Sequence, residues 1–313
     1  MFLPRVVPAA NTVSEDTRAG KTWPELNDLS LVVGGLMRAT SEPPHMVGHT
    51  TYDYAGETAI VTGSTKGIGR GIAEGLADAD ANVVVNSRTE ADVERVAAEL
   101  DEHGTGDVIG VAGDMAEPED IETLVSTAID EFGQVDLLVN NAAVWPREES
   151  LVDASLEDWD YTLGVNARAQ FYAAKLVATH MIDEGIEGNI INHTSQTADR
   201  RSGPRGLYGI SKTTVTGLTW RLAIELAEHG IRVNAVSTDL TETYQVRKEA
   251  EMAAAEDPDR SPEEFLDEWG RQRPIGRLGR PEDLADAVMY LASDRANYVV
   301  GTVLRVSGGG NLQ

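Results

Sequence analysis

The 313-residue chain contains no cysteine, which excludes disulfides, thiolate nucleophiles and cysteine metal sites together. Lysine is nearly as scarce: five of the 26 basic residues are lysine, against 52 acidic residues, for a net charge of −26. An excess of negative charge on this scale repels the phosphate backbone, so nucleic acid is excluded as a partner. Long hydrophobic runs are also missing. The best N-terminal run, Leu29 to Met37, is broken by Ser30, Gly34 and Gly35 and falls well short of the roughly 18 apolar residues of a membrane span. The reading is a soluble protein with no membrane partner. Its self-repulsion is best screened in molar salt, where the Debye length falls to about 3 Å, so a salt-accumulating, halophilic cytoplasm is the expected setting. His180, His193 and His229 show no ligand spacing with carboxylates; they read as structural, and no metal is expected.

Hydrophobic residues make up 41% of the chain, ample for one buried core with an appendage. From residue 58 onward, short β-branched runs alternate with helical patterns: Thr58 to Thr62, Asn82 to Asn86, Val108 to Val111, Val135 to Val139, Asn189 to Asn192, Ile231 to Val236 and Thr302 to Val306. Such alternation predicts an α/β fold with a doubly wound, seven-stranded parallel sheet covered by helices on both faces. Residues 1–45 stand apart, interrupted by Pro4, Pro8, Pro24, Pro43 and Pro44 and with no sustained amphipathic period. They are expected to be a disordered extension or the product of a misassigned start, with Met46 the initiator and 46–313 the domain.

The first strand runs into Thr62-Gly63-Ser64-Thr65-Lys66-Gly67-Ile68-Gly69, and a helix with Ile72 and Leu76 on one face follows. Glycines permit a tight turn and close approach of backbone to a pyrophosphate, and the helix N-terminus offers unpaired N–H groups. A dinucleotide is expected there. Discrimination between dinucleotides usually falls at the end of the second strand, where a carboxylate would bind the ribose 2′-OH of NAD. Here the strand ends Asn86-Ser87-Arg88. Arg88 and Lys66 can pair with a 2′-phosphate, so NADP(H) is preferred, with NAD(H) also admitted.

Tyr208 and Lys212 lie four residues apart at the start of a helical stretch, on one face about one turn apart. A nearby ammonium favours phenolate over phenol and brings a group of ordinary pKa about 10 closer to the range where it exchanges protons efficiently. Together with the Gly-rich turn, Asn140-Asn141-Ala142-Ala143, Ser195 placed 13 residues before Tyr208, Pro274-Ile275-Gly276-Arg277 and Ser307-Gly308-Gly309-Gly310, these residues resemble the classical short-chain dehydrogenase/reductase family over residues 56–313. The resemblance implies an oxidoreductase interconverting a carbonyl and an alcohol. By it, Tyr208 is the general acid/base, Ser195 hydrogen-bonds the substrate oxygen, Lys212 binds the nicotinamide ribose while tuning Tyr208, and Asn166 holds a water in the proton relay. It also implies cofactor contacts from Asp114 and Met115 at the adenine end, Asn141 at the ribose, and Thr241 or Thr243 at the nicotinamide amide. A homotetramer or homodimer is implied, with the helices near Tyr208 and after Asn166 at an interface. One departure is Thr238-Asp239 after the sixth strand, where the family reads Pro-Gly; it puts a carboxylate beside the nicotinamide pocket.

Substrate choice is expected in the loop after Ala143, the loop from Ser195 to Tyr208, and an acidic, helix-prone segment at about 240–273 that reads as a lid or as subunit packing. Arg147, Arg200, Arg201 and Arg205 in the first two loops hint at an anionic substrate. A 3-oxoacyl-thioester reductase, a sugar, polyol or sugar-acid dehydrogenase, and a cofactor-binding sensor without turnover all remain open. An intact Asn166, Ser195, Tyr208 and Lys212 set speaks against the sensor.

Overall fold

The computed structural model describes residues 50–145, 150–199 and 206–312; the expected N-terminal extension and Arg147, Arg200, Arg201 and Arg205 lie outside them. Seven strands form one parallel sheet: β1 (Thr58–Val61), β2 (Asn82–Ser87), β3 (Val108–Ala112), β4 (Leu137–Asn140), β5 (Asn189–Ser195), β6 (Arg232–Thr238) and β7 (Val303–Val306). They lie in the order β3-β2-β1-β4-β5-β6-β7, each paired in parallel with its neighbours. All seven expected runs are strands, and the doubly wound architecture stands as read.

The central strands read as continuous apolar runs because both faces are covered. On one face Ala59, Val61, Val83 and Val85 pack against α1 (Gly67–Ala77), α2 (Glu90–Leu100) and α9 (Pro281–Ala292). On the other, Ile60, Val84 and Leu138 meet α3 (Pro118–Phe132), α5 (Ala169–Glu184) and α6 (Gly206–Leu226). The two-residue side-chain alternation of a strand sorts neighbours such as Ile60 and Val61 into opposite cores. Arg232, half-buried at the start of β6, donates to the carbonyls of Leu291, Ala292, Ser293 and Ala296, satisfying the C-terminal end of α9.

Chain order reverses between β1 and β4, so the loops leaving their C-terminal ends diverge and open a crevice, the position where ligands bind in such sheets. A separate small core joins α7 (Tyr244–Glu256) to α8 (Pro262–Arg271) through Val246, Ala250, Leu266 and Leu278. The α7 helix begins at Tyr244 because Thr243 caps it, accepting from Val246 N.

Candidate active site

A cleft of about 810 Å³ occupies the C-terminal side of the sheet at this reversal. Gly63, Thr65, Lys66, Gly67, Ile68 and Gly69 line one end, with Arg88, Asp114 and Met115 beyond them; Asn141, Ser195, Tyr208, Lys212, Thr241 and Thr243 line the other. Two expected site residues do not reach the wall. Ser64 is fully buried; its hydroxyl donates to Val61 O (2.6 Å) and accepts from Asn86 N (3.0 Å). Asn166 lies in a π-helical turn, Gly164–Arg168, between α4 (Leu156–Leu163) and α5. Its side chain accepts from Val144 N (2.7 Å) and donates to Val144 O (2.7 Å) and Ser211 Oγ (3.0 Å).

The glycine-rich end fits a dinucleotide. Gly63 adopts φ +63°, and a Cβ there would stand 3.0 Å from Ala142 Cα. A Cβ on Gly69 would strike both Asn141 Nδ2 and Gly63 O. These positions need glycine for closeness, the condition under which backbone can approach a pyrophosphate. The first turn of α1 carries no acidic residue and Lys66 makes no side-chain cap, so the positive end of the helix faces the cleft uncompensated. Thr243 packs over Gly67 from the opposite side. At the tip of β2, Asn86 is buried and ties the loop to β3, accepting from Gly63 N (3.4 Å) and donating to Val111 O (3.1 Å). Arg88 is exposed, 3.5 Å from Tyr161 Oη.

At the other end, α6 presents Tyr208 and Lys212 one turn apart, as their spacing predicts. The Lys212 ammonium lies 5.6 Å from the Tyr208 ring centre, and Trp145 meets that ring edge-on at 5.9 Å. Lys212 is 1% exposed and donates to His193 O at 2.8 Å; burial pushes its pKa down to about 7. Ser195, at the end of β5, accepts from Thr197 N (3.3 Å), which leaves its hydroxyl hydrogen to be donated elsewhere.

His193 was expected to be structural, yet it lines the cleft. Asn141 Nδ2 donates to Thr62 O (2.8 Å) and Gly63 O (3.2 Å), so Asn141 Oδ1 faces His193 Nδ1 at 3.0 Å. That pairing assigns the proton to Nδ1 and leaves Nε2 to accept from Thr238 Oγ1 at 3.3 Å. Burial, and then the charge of Lys212, push the His193 pKa down to about 3, so the ring is neutral. No motif flags this residue; its position on β5, two before Ser195, is the signal that it faces the site.

The carboxylate of Asp239, expected beside the nicotinamide pocket, does not stand there alone. Arg273 grips it with Nε at 2.9 Å and Nη2 at 3.3 Å, both side chains nearly buried. Gly310 passes so close that a Cβ there would strike Asp239 Oδ2. The turn without proline and glycine is thus fixed by a bidentate ion pair.

A switch-point cleft with a close-packed glycine-rich loop at one end and a Ser, Tyr and Lys set at the other is the arrangement of a dinucleotide-dependent oxidoreductase. The family model described as Enoyl-(Acyl carrier protein) reductase matches residues 63–311. Dehydrogenase/reductase SDR family member 4 of Caenorhabditis elegans is 36% identical over 256 residues, covering 82% of this chain and 95% of the relative. L-Sorbose reductase from Gluconobacter frateurii, solved with NADPH and L-sorbose, superposes with a TM-score of 0.80 at 30% identity, over 84% of this chain and 100% of its own. A 3-ketoacyl-(acyl-carrier-protein) reductase from Brucella melitensis, complexed with NADH, gives 0.72 at 32% identity, over 82% and 99%. The chain belongs to the short-chain dehydrogenase/reductase family and is an NAD(P)-dependent oxidoreductase acting on a small molecule.

The buried Lys212 makes stability depend on pH. Its pKa falls from an ordinary 10.5 to about 7 on folding, so the cost of burying the ammonium is absent above pH 10.5, grows as pH falls, and is complete below 7. Lys212→Met should make the cofactor-free protein more resistant to urea at pH 6, with the advantage over wild type shrinking between pH 7 and 10. A pH-independent advantage would assign the effect to packing instead.

Proposed function

We propose that the chain is an NADP(H)-linked oxidoreductase interconverting a ketone and a secondary alcohol, with Tyr208 as the general acid/base. The observation that carries this reading is Lys212, buried 5.6 Å from the Tyr208 ring centre, on the same cleft as Ser195 and the glycine-rich loop. The bound nicotinamide supplies or accepts the hydride. In reduction Tyr208 Oη delivers a proton to the carbonyl oxygen as it becomes alkoxide-like, and in oxidation takes it back. Ser195 Oγ donates to that same oxygen. Lys212 holds the ribose hydroxyls and keeps positive charge beside the phenol, favouring its ionised form. The Asn166 side chain is spent on Val144 and Ser211, so its part in the relay falls to the backbone carbonyl of the π-turn.

Preference for NADP(H) rests on Asn86-Ser87-Arg88, which carries no carboxylate, and on Lys66 and Arg88 lining the adenosine end. The NADPH of the sorbose reductase supports it, while the NADH of the ketoacyl reductase keeps NAD(H) in view. Sugar-type and 3-oxoacyl substrates are both represented among these relatives. The segment at about 240–273 serves as a lid, α7 and α8 moving on their own small core with Asp239 and Arg273 clamping its two ends. The chain works as an oligomer through α5 and α6, which leave Phe171, Ile182, Trp220 and Ile224 exposed, in a salt-rich cytoplasm that screens its acidic surface.

Assayed in about 2 M KCl, Tyr208→Phe should lose at least ~10³-fold in kcat while NADPH still binds, as followed by fluorescence; substantial residual turnover would sink the assigned mechanism. Arg88→Asp should weaken NADPH binding at least ~10-fold more than NADH binding, a difference of about 1.4 kcal/mol. Equal losses would refute the 2′-phosphate assignment. Trp220→Asp with Ile224→Arg should reduce the mass measured by sedimentation to that of a smaller species; an unchanged mass would move the interface elsewhere.

A further inference from the structure

We infer that Trp145 is the positioning residue for Tyr208: its indole limits the swing of the phenol, and so sets where the reactive oxygen stands. The inference rests on the reductase reading above and adds a residue to it. Trp145 is half-buried on the wall of the cleft. Its ring meets that of Tyr208 with 5.9 Å between centres and 85° between planes, a favoured edge-on geometry for two aromatic side chains. A staggered side-chain well is soft over roughly 30°, and Oη, at the far end of the ring, moves farthest in such a swing. Packing on the ring therefore decides where the hydroxyl stands. Lys212, 5.6 Å from the ring centre and anchored on His193 O, supplies charge; the indole supplies bulk.

What holds Trp145 there is the amide of Asn166. Fully buried, it takes both main-chain groups of Val144, the residue before Trp145: Oδ1 accepts from Val144 N (2.7 Å) and Nδ2 donates to Val144 O (2.7 Å). The same Nδ2 donates to Ser211 Oγ (3.0 Å), whose hydroxyl donates to Tyr208 O (2.7 Å). The backbones that carry the two rings are thus both tied to one buried group, in a network whose members are satisfied by one another. Leu151 adds a second contact between the segment after β4 and α6: a Cβ on Gly206, the first residue of α6, would strike Leu151 Cγ. The Asn166 side chain therefore has a task of its own, fixing the indole against the phenol. Trp145 acts through Tyr208, so removing the indole slows proton delivery and leaves the dinucleotide site intact.

The test uses the full chain with NADPH in about 2 M KCl, with 3-hydroxy-2-butanone and a 3-oxobutanoyl thioester as the carbonyl probes. Trp145→Ala should lower kcat by about 100-fold on whichever probe wild type reduces, the scale of a misplacement of about 1 Å, while the Kd for NADPH stays within about twofold. The solvent deuterium isotope effect on kcat should rise as proton delivery becomes the slow step. Trp145→Phe, which restores an aromatic edge, should recover most of kcat and the wild-type isotope effect. A raised KM with kcat and isotope effect unchanged would overturn the inference by making Trp145 a wall for the substrate. Equal losses in Trp145→Phe and Trp145→Ala without a change of isotope effect would overturn it as well. Tyr208→Phe separates this inference from the reductase reading. An inactive Tyr208→Phe beside a fully active Trp145→Ala sinks the inference alone, whereas an active Tyr208→Phe, or reduction of neither probe by wild type, removes both. Where Trp145→Ala fails to fold or to bind NADPH, Trp145→Leu, which keeps apolar bulk without the ring, decides by the same readings.

Discussion

Lys212 is held inside the protein with a backbone carbonyl, that of His193, as its hydrogen-bond partner among the described residues. A buried ammonium without a counter-ion is expensive, and the groups around it are arranged accordingly. His193 cannot also carry charge; burial and Lys212 together keep it neutral. A neutral imidazole with its proton on Nδ1 joins Asn141, at the exit of β4, to Thr238, at the exit of β6. Asn141 in turn grips the carbonyls of Thr62 and Gly63 at the exit of β1. One unfavourable charge thus sits beside a hydrogen-bonded brace spanning four of the strands that open onto the cleft. Ribose hydroxyls beside Nζ would return part of the lost solvation, which links cofactor binding to stability.

The Thr238-Asp239 turn shows how a departure from a family pattern is absorbed. Proline and glycine shape a turn through restricted and permissive φ; here side-chain bonds do that work. Thr238 is tied to His193 and Asp239 to Arg273, 34 residues later. An ion pair so nearly buried contributes less to net stability than to register, because desolvation offsets most of the attraction. Its placement suits that role. It joins the root of the segment leading into α7 to Arg273, two residues past the end of α8, so the two stems of that segment are held against each other.

Much of this was legible in the sequence, for reasons specific to each part. Parallel strands covered on both faces must be continuous β-branched runs, so all seven could be read from residue type alone. The glycine-rich turn and the Tyr208, Lys212 spacing were legible because their chemistry is local: closeness in one case, a single helical turn in the other. What stayed hidden depends on contacts distant in sequence. Ser64 looks like any loop serine until Asn86 N is seen bonded to it. The Asn166 amide is committed to Val144 and Ser211, 22 and 45 residues away. His193 reads as one more solitary histidine, and Arg273 as one more exposed cation, because no periodicity announces a partner.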